Sequence, residues 1–131
     1  MQMPEQRRAN YALTCVREVA RDVAKDKSLA IYRSYVSSLG AAIITMGLGQ
    51  AMATERQAKG GAHQRLYKHL NGWLCCKAEP LAPFRNASDA LEAICAADQH
   101  AYLRAHAEAL AVLEWLKKFA RALIPLDEST E

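Results

Sequence analysis

The chain has 131 residues and a formal net charge of +3, with 17 Lys and Arg against 14 Asp and Glu. A chain of this length can bury about two-thirds of its unfolded surface in one core, so neither disulfides nor a metal is required for folding. The first residues, MQMPEQRRAN, lack the apolar centre of a secretory signal. We therefore expect one cytoplasmic domain, residues 1–131, ending in a short mobile acidic tail at about residues 126–131.

The N-terminal segment has the pattern of an amphipathic helix that begins at Pro4, where proline is tolerated in the first turn. Its apolar stripe consists of Ala9, Ala12, Leu13, Val16, Val19, Ala20 and Val23. Four basic residues fall together on a neighbouring face at 100° per residue, namely Arg7, Arg17, Arg21 and Lys25. This face is either a binding surface or an ordinary solvated one, since surface helices commonly carry such charges.

A long uncharged stretch follows between Ser34 and Thr54. Gly, Ser and Gln dilute its apolar residues, which favours a buried core element over a membrane span. We expect Asp26 or Ser28 to cap the preceding helix and residues 37–40 to break or bend it. A central helix then continues to about residue 58, with Ile44 among its core residues.

The second half of the chain predicts further helices. Gly60 and Gly61 give the clearest stop signal, and a helix from about Ala62 places Leu66, Tyr67, Leu70, Trp73 and Leu74 inside, with Arg65, Lys68, His69 and Cys76 on the opposite side. After a proline-containing loop at 79–83, Asn86 or Ser88 caps a segment that Asp98 divides before the last helix ends at Pro125. No run alternates with period two, so the prediction is an all-α bundle of five or six helices.

Residues with catalytic chemistry do not form a recognisable site in the sequence. The histidines occur in pairs six residues apart, which places each pair on different helix faces, and Cys75 and Cys76 are adjacent, which is poor spacing for zinc. Cys15 and Cys95 lie in apolar helical patterns typical of buried thiols. We therefore expect no enzyme activity, no catalytic residues, no metal, no cofactor and no small-molecule substrate.

Basic helix faces are the remaining candidates for function. On the last helix these are Arg104, Lys117, Lys118 and Arg121, which can contact a phosphate backbone as the basic face of the first helix can. Two other classes stay open: a small helical DNA-binding regulator that uses Gln64, Arg65 and Lys68 after the Gly60-Gly61 turn, and a protein-only scaffold.

Three segments together resemble one known family. They are Tyr32-Arg33-Ser34 followed by Val36 and Leu39, then Gly47-Leu48-Gly49-Gln50-Ala51-Met52-Ala53, and finally the C-terminal run from Glu114 to Leu123. In this order and spacing they are similar to the small subunit of Cmr-type (type III-B) CRISPR effector complexes. The sequence departs from that family at Gly40, where a proline is usual, and at Thr54, where an aromatic residue is common.

The resemblance implies a non-catalytic, all-α protein of antiviral defence. Several copies of such a subunit stack along an RNA-guided ribonucleoprotein, so the implied partners are further copies of the chain, other subunits of the effector complex, CRISPR RNA and target RNA, with no membrane. Lys117 and Lys118 lie within the matching C-terminal motif and are the RNA-binding candidates that the resemblance supports. Arg121, Arg104, Arg7, Arg17, Arg21 and Lys25 are candidates on charge and helical position.

Overall fold

The computed structural model describes residues 1–126 and contains six α-helices and one 3₁₀ turn, with no strand in that range. The elements are α1 (Pro4–Val23), the 3₁₀ turn (Lys27–Ile31), α2 (Tyr32–Met46), α3 (Leu48–Gln57), α4 (Gly61–Leu74), α5 (Ala90–Ala96) and α6 (Gln99–Leu123). The predicted all-α class is confirmed. The predicted acidic tail, at about residues 126–131, lies outside the described part apart from Leu126.

The two longest helices, α1 and α6, pack side by side and run parallel. Arg8 near the start of α1 contacts Glu108 in the first half of α6, while Ala20 and Val23 line a depression with Pro125 just beyond the end of α6. α2 is antiparallel to α6, since Arg33 lies near Arg121 at the opposite end. The C-terminal ends of α1 and α6 and the N-terminal end of α2 therefore meet at one end of the bundle.

The core is formed by one apolar face from each helix. Its largest fully buried side chains include Val16, Tyr32, Ile43, Met52, Leu66, Leu70 and Leu116. By length and composition alone, Lys27–Met46 is apolar enough to cross a membrane. A core helix passes the same test, and α2 has that position here because Val36, Leu39 and Ile43 are buried within the bundle.

Helix starts agree with several of the predicted caps. The Asp26 carboxylate accepts from the Ser28 N–H, and Asp98 accepts from the Ala101 N–H at the start of α6, as expected. α5 differs, because Asp89 itself is its cap and accepts from the Leu91 N–H, whereas Asn86 or Ser88 was predicted.

The central uncharged stretch differs most from prediction. Residues 37–40 do not interrupt α2, which continues to Met46, and the chain turns instead at Gly47, whose φ is +90°. Ile44, predicted to be buried, is 72% exposed. L side chains rarely adopt a backbone conformation with this φ, so a glycine at position 47 allows α2 to end and the chain to turn. The apolar pattern continues across this helix boundary and therefore does not reveal it.

A buried carboxylate joins three helices. The Arg8 guanidinium of α1 donates from Nε and Nη2 to the two Glu108 oxygens of α6, at 2.6 and 2.9 Å, and Trp73 Nε1 of α4 donates to Glu108 Oε2 at 3.1 Å. The Glu108 side chain is 7% exposed and that of Arg8 is 18% exposed. The hydrogen bond and charge of Glu108 raise the pKa of Arg8, so the guanidinium keeps its positive charge.

Replacing Glu108 with Gln should lower the free energy of unfolding by about 3 kcal/mol, because it removes the bidentate charged partner of a partly buried guanidinium whose remaining ion pair is with the exposed Glu5 at 3.1 Å. The exposed Glu114→Gln on the same helix is the matched control and should stay within about 0.5 kcal/mol of the parent chain. Urea unfolding followed by circular dichroism measures both. Equal midpoints for the two variants would contradict the structural role given to Glu108.

Replacing Gly47 with Ala should destabilise the chain by about 1 to 3 kcal/mol, because of its positive φ and because an added Cβ would lie 3.0 Å from Tyr102 Oη. Gly40→Ala is the control: Gly40 lies inside α2 with nothing within 4 Å of an added Cβ, so alanine should stabilise the helix by about 0.5 to 1 kcal/mol. Thermal unfolding of the two variants should therefore move in opposite directions. A Gly47→Ala variant as stable as the parent would contradict the requirement for glycine at the turn between α2 and α3.

Candidate nucleic-acid interface

The eight predicted basic residues do not form a single surface. Arg7 and Arg104 both donate hydrogen bonds to the loop between α4 and α5. Arg7 Nε donates to Glu79 Oε1 at 2.9 Å, and Arg104 Nη2 donates to the Leu81 carbonyl at 3.4 Å. Arg21 contacts Asp22 at 3.2 Å but is 70% exposed. Arg7 and Arg104 thus help to fix the loop near the start of α1 and α6.

The other five predicted residues make no ion pair within residues 1–126; they are Arg17, Lys25, Lys117, Lys118 and Arg121. Because α1 and α6 are parallel, all five lie toward the same end of the bundle. Lys117 lines a groove between α2 and α6 with Gly40, Leu113 and Glu114. Arg121 lies one turn further along α6, beside Arg33.

Arg33 is a basic residue of this surface that helical patterning did not identify. It lies in the first turn of α2, and its Nη2 is 3.5 Å from the carbonyl oxygen of Arg121. A helical wheel treats each helix alone, so it cannot show that residues 88 positions apart share a surface. The available signal was the Tyr32-Arg33-Ser34 segment, which contributed to the family resemblance.

We call the adjoining surface formed by Arg33, Lys117 and Arg121 the α2–α6 seam. Ser37 lines both the depression beside Arg33 and Arg121 and the groove beside Lys117, so the two adjoin at this residue. Glu114 is the one carboxylate among the described residues that line them. The seam is therefore a shallow surface with excess positive charge, suited to a phosphate backbone.

Two histidines have structural positions. His69, predicted on the polar side of α4, is instead 6% exposed in the core, where its Nδ1 lies 2.8 Å from Tyr32 Oη and its carbonyl accepts from Tyr11 Oη. His63 Nδ1 lies 2.7 Å from Glu55 Oε1, and its ring stacks on Tyr35 with centroids 3.6 Å apart. The aromatic ring covers one face of this histidine–carboxylate pair.

The cysteines and acids also take local roles. Cys15 is buried as predicted, but Cys95 is exposed, which corrects its assignment to the core. Asp89 accepts from Tyr67 Oη at 2.8 Å while capping α5. Within residues 1–126 there is no group of three His, Cys, Asp or Glu side chains positioned to hold a metal ion.

The chain is similar to known proteins in both sequence and fold. It matches the family model described as CRISPR-associated protein (Cas_Cmr5) over residues 4–123. It is 34% identical over 107 residues to the CRISPR system Cmr subunit Cmr5 of Thermus thermophilus, covering 82% of this chain and 87% of that protein. The crystal structure of a CRISPR-associated Cmr5 family protein from the same organism gives a TM-score of 0.74 at 30% identity, covering 95% of this chain and all of the other.

Fold and sequence similarity together define a small all-α CRISPR-associated protein. The chain belongs to the Cmr5 family. The predicted resemblance to the small subunit of Cmr-type complexes is confirmed.

The buried His69 predicts a pH-dependent stability. Desolvation, followed by the charges of Arg65 and Lys68, lowers its pKa from 6.5 to about 4. A base whose pKa is lower in the folded state is destabilising when protonated, so its contribution is complete above pH 6.5 and is lost as the pH falls toward 4. The loss should be roughly 3 kcal/mol over that window.

Urea unfolding at pH 7, 6, 5 and 4 measures this dependence. The His69→Gln variant is the control, because it cannot titrate there and should show a flatter profile between pH 6.5 and 4. Asp22, whose pKa is lowered by hydrogen bonds from Arg65 and Arg21, stabilises the fold fully above its ordinary value of 3.8 and loses this effect only as the pH falls below it, outside this window. Identical profiles for the parent and the variant would contradict the assignment to His69.

Proposed function

We propose that this chain is a non-catalytic small subunit of a type III-B CRISPR ribonucleoprotein in the cytoplasm. In this proposal it is one helical domain that stacks in several copies along the complex and contacts the backbones of guide RNA and target RNA. Family membership supports the complex, and the relative from Thermus thermophilus is itself described as a Cmr subunit.

The observation that carries the RNA contact is the charge at the C-terminal end of α6. Lys117, Lys118 and Arg121 occupy its last two turns and make no ion pair within residues 1–126. Lys118 and Arg121 are exposed, and Lys117 is half-buried in the groove beside α2. Cations held without counter-charges on a rigid helix can neutralise phosphates without recognising bases.

Such a contact leaves sequence recognition to base pairing between guide and target, as in RNA-guided effectors in general. A single copy should bind RNA weakly and with strong salt dependence, because it makes only a few phosphate contacts. Stacked copies present a continuous line of cations. Arg17 and Lys25, near the same end on α1, would extend this line. Arg7 and Arg104 have the lesser role, because the α4–α5 loop already uses their donors.

The alternative of a duplex-DNA regulator has less support. It requires free side chains after the Gly60-Gly61 turn, but Arg65 donates to Asp22 Oδ2 at 2.7 Å across the interface between α4 and α1. Gln64 and Lys68 remain exposed, which leaves two side chains to contact base edges. A recognition helix ordinarily presents three or four such side chains.

The proposal predicts that the triple variant Lys117→Glu, Lys118→Glu and Arg121→Glu assembles into the complex but binds target RNA at least about tenfold more weakly near 150 mM salt. The slope of log affinity against log salt should fall by about 2 for three lost contacts, at roughly 0.7 each. Filter binding of radiolabelled RNA to the reconstituted complex measures both quantities.

The matched control is Lys59→Glu, Lys77→Glu and Arg85→Glu, which makes the same change in charge at three exposed positions away from the seam. It should change affinity less than about threefold. Equal RNA binding by the parent and the first variant would refute the RNA contact. Loss of assembly by the first variant alone would place these residues at a protein interface and favour the scaffold alternative.

A further inference from the structure

Two adjoining depressions at one end of the α2–α6 seam share three lining residues: Arg33, Arg121 and Leu126. One of them, about 360 Å³, is also lined by Ala30, Ile31, Ser34 and Ser37. The described residues that line both depressions include no carboxylate. Two arginines therefore line the same pair of adjoining depressions, without a carboxylate from residues 1–126 beside them.

The donors of Arg33 are poorly used. Its Nη2 makes one long contact of 3.5 Å, to the Arg121 carbonyl, and its Nε is buried without a hydrogen-bond partner among the described residues. A buried N–H group is ordinarily paired, so an unpaired one calls for an acceptor. Two like charges side by side likewise favour an anion between them.

We infer that this pocket binds one phosphate group, and, resting on the proposed function, that the phosphate belongs to an RNA backbone. Arginine matches this ligand because its planar fork binds two phosphate oxygens at once. The Ser34 and Ser37 hydroxyls line the same space and supply two more donors. The volume of this depression is several times the roughly 30 Å³ that one water molecule occupies in the liquid.

The position of Ser37 indicates the path of the bound RNA backbone. Ser37 also lines the groove that contains Lys117, so a backbone anchored at Arg33 and Arg121 passes along the seam toward Lys117. The apolar floor of that groove, which includes Val36, Ala41 and Leu110, offers no base-specific donors. The pocket is accordingly an anchor for the backbone and not a reader of sequence.

The pocket itself is tested with inorganic phosphate and the full chain. Nitrogen-edited NMR of arginine Nε–H groups should show saturable shifts for Arg33 and Arg121, and not for Arg85, whose donors bond the Lys77 carbonyl. The same ionic strength of chloride should leave the Arg33 and Arg121 signals in place. Shifts no larger than those of Arg85, both in this chain and in a variant whose adjacent acids Asp127 and Glu128 are neutralised, would overturn the phosphate site.

Asp127 and Glu128 follow Leu126 directly in the sequence, so their carboxylates are potential competitors for the same pocket. The titration is therefore repeated in the Asp127→Asn, Glu128→Gln chain, which removes both charges. Saturable shifts of Arg33 in either chain support the site. Their absence from both chains overturns it.

The assignment to RNA is tested in the reconstituted complex with Arg33→Gln, Arg33→Lys and the control Arg85→Gln. Arg33→Gln should weaken RNA binding about tenfold, the size expected for one charged hydrogen-bonded contact. Arg33→Lys should recover only part of the loss, because it restores the charge without the fork. Arg85→Gln should change affinity less than about twofold.

These outcomes separate the two proposals. If Arg33→Gln binds RNA as the Arg85→Gln control does, while the Lys117, Lys118 and Arg121 triple variant loses affinity, the anchor at Arg33 is wrong and the proposed function stands. If neither set of variants changes RNA binding, the proposed function fails and the RNA assignment of the pocket fails with it.

Discussion

The arrangement of this small bundle depends on one buried carboxylate. Glu108 accepts hydrogen bonds from Arg8 of α1 and Trp73 of α4, so a single side chain of α6 fixes its contacts with two other helices. A buried charge that is fully hydrogen-bonded fixes the alignment of α1 and α4 with α6, because sliding either helix by a turn would leave the carboxylate unpaired. Because α1 and α6 are parallel, this alignment brings their basic C-terminal ends together beside the start of α2.

Most of the fold could be predicted because caps and apolar stripes are local signals. Pro4, Asp26 and Asp98 mark element starts that a sequence shows directly. The break between α2 and α3 was misplaced because it depends on the backbone conformation of Gly47, which resembles any other small residue in a hydrophobic pattern. Gly40, by contrast, lies within a continuous helix, since the burial of Val36, Leu39 and Ile43 outweighs its low propensity.

The interface was predictable in part, for a related reason. Lys117, Lys118 and Arg121 lie on one helix in a recognisable motif, so charge and position identified them together. Arg7 and Arg104 were assigned to the basic faces of the first and last helices, although an irregular loop holds them in contacts that no periodic pattern indicates. Arg33 was overlooked because its significance comes from packing of α2 against α6. Long-range placement therefore decides which cations are available to a partner.

The most direct test of the account is ultraviolet crosslinking of the assembled complex to its RNA, followed by mass spectrometry of the crosslinked peptides. The account predicts crosslinks in this subunit within the peptides that carry Arg33 and residues 117–121, at the seam between α2 and α6. Crosslinks confined to other subunits, or to the helix that follows the Gly60-Gly61 turn, would contradict the claim that this chain contacts RNA through the seam.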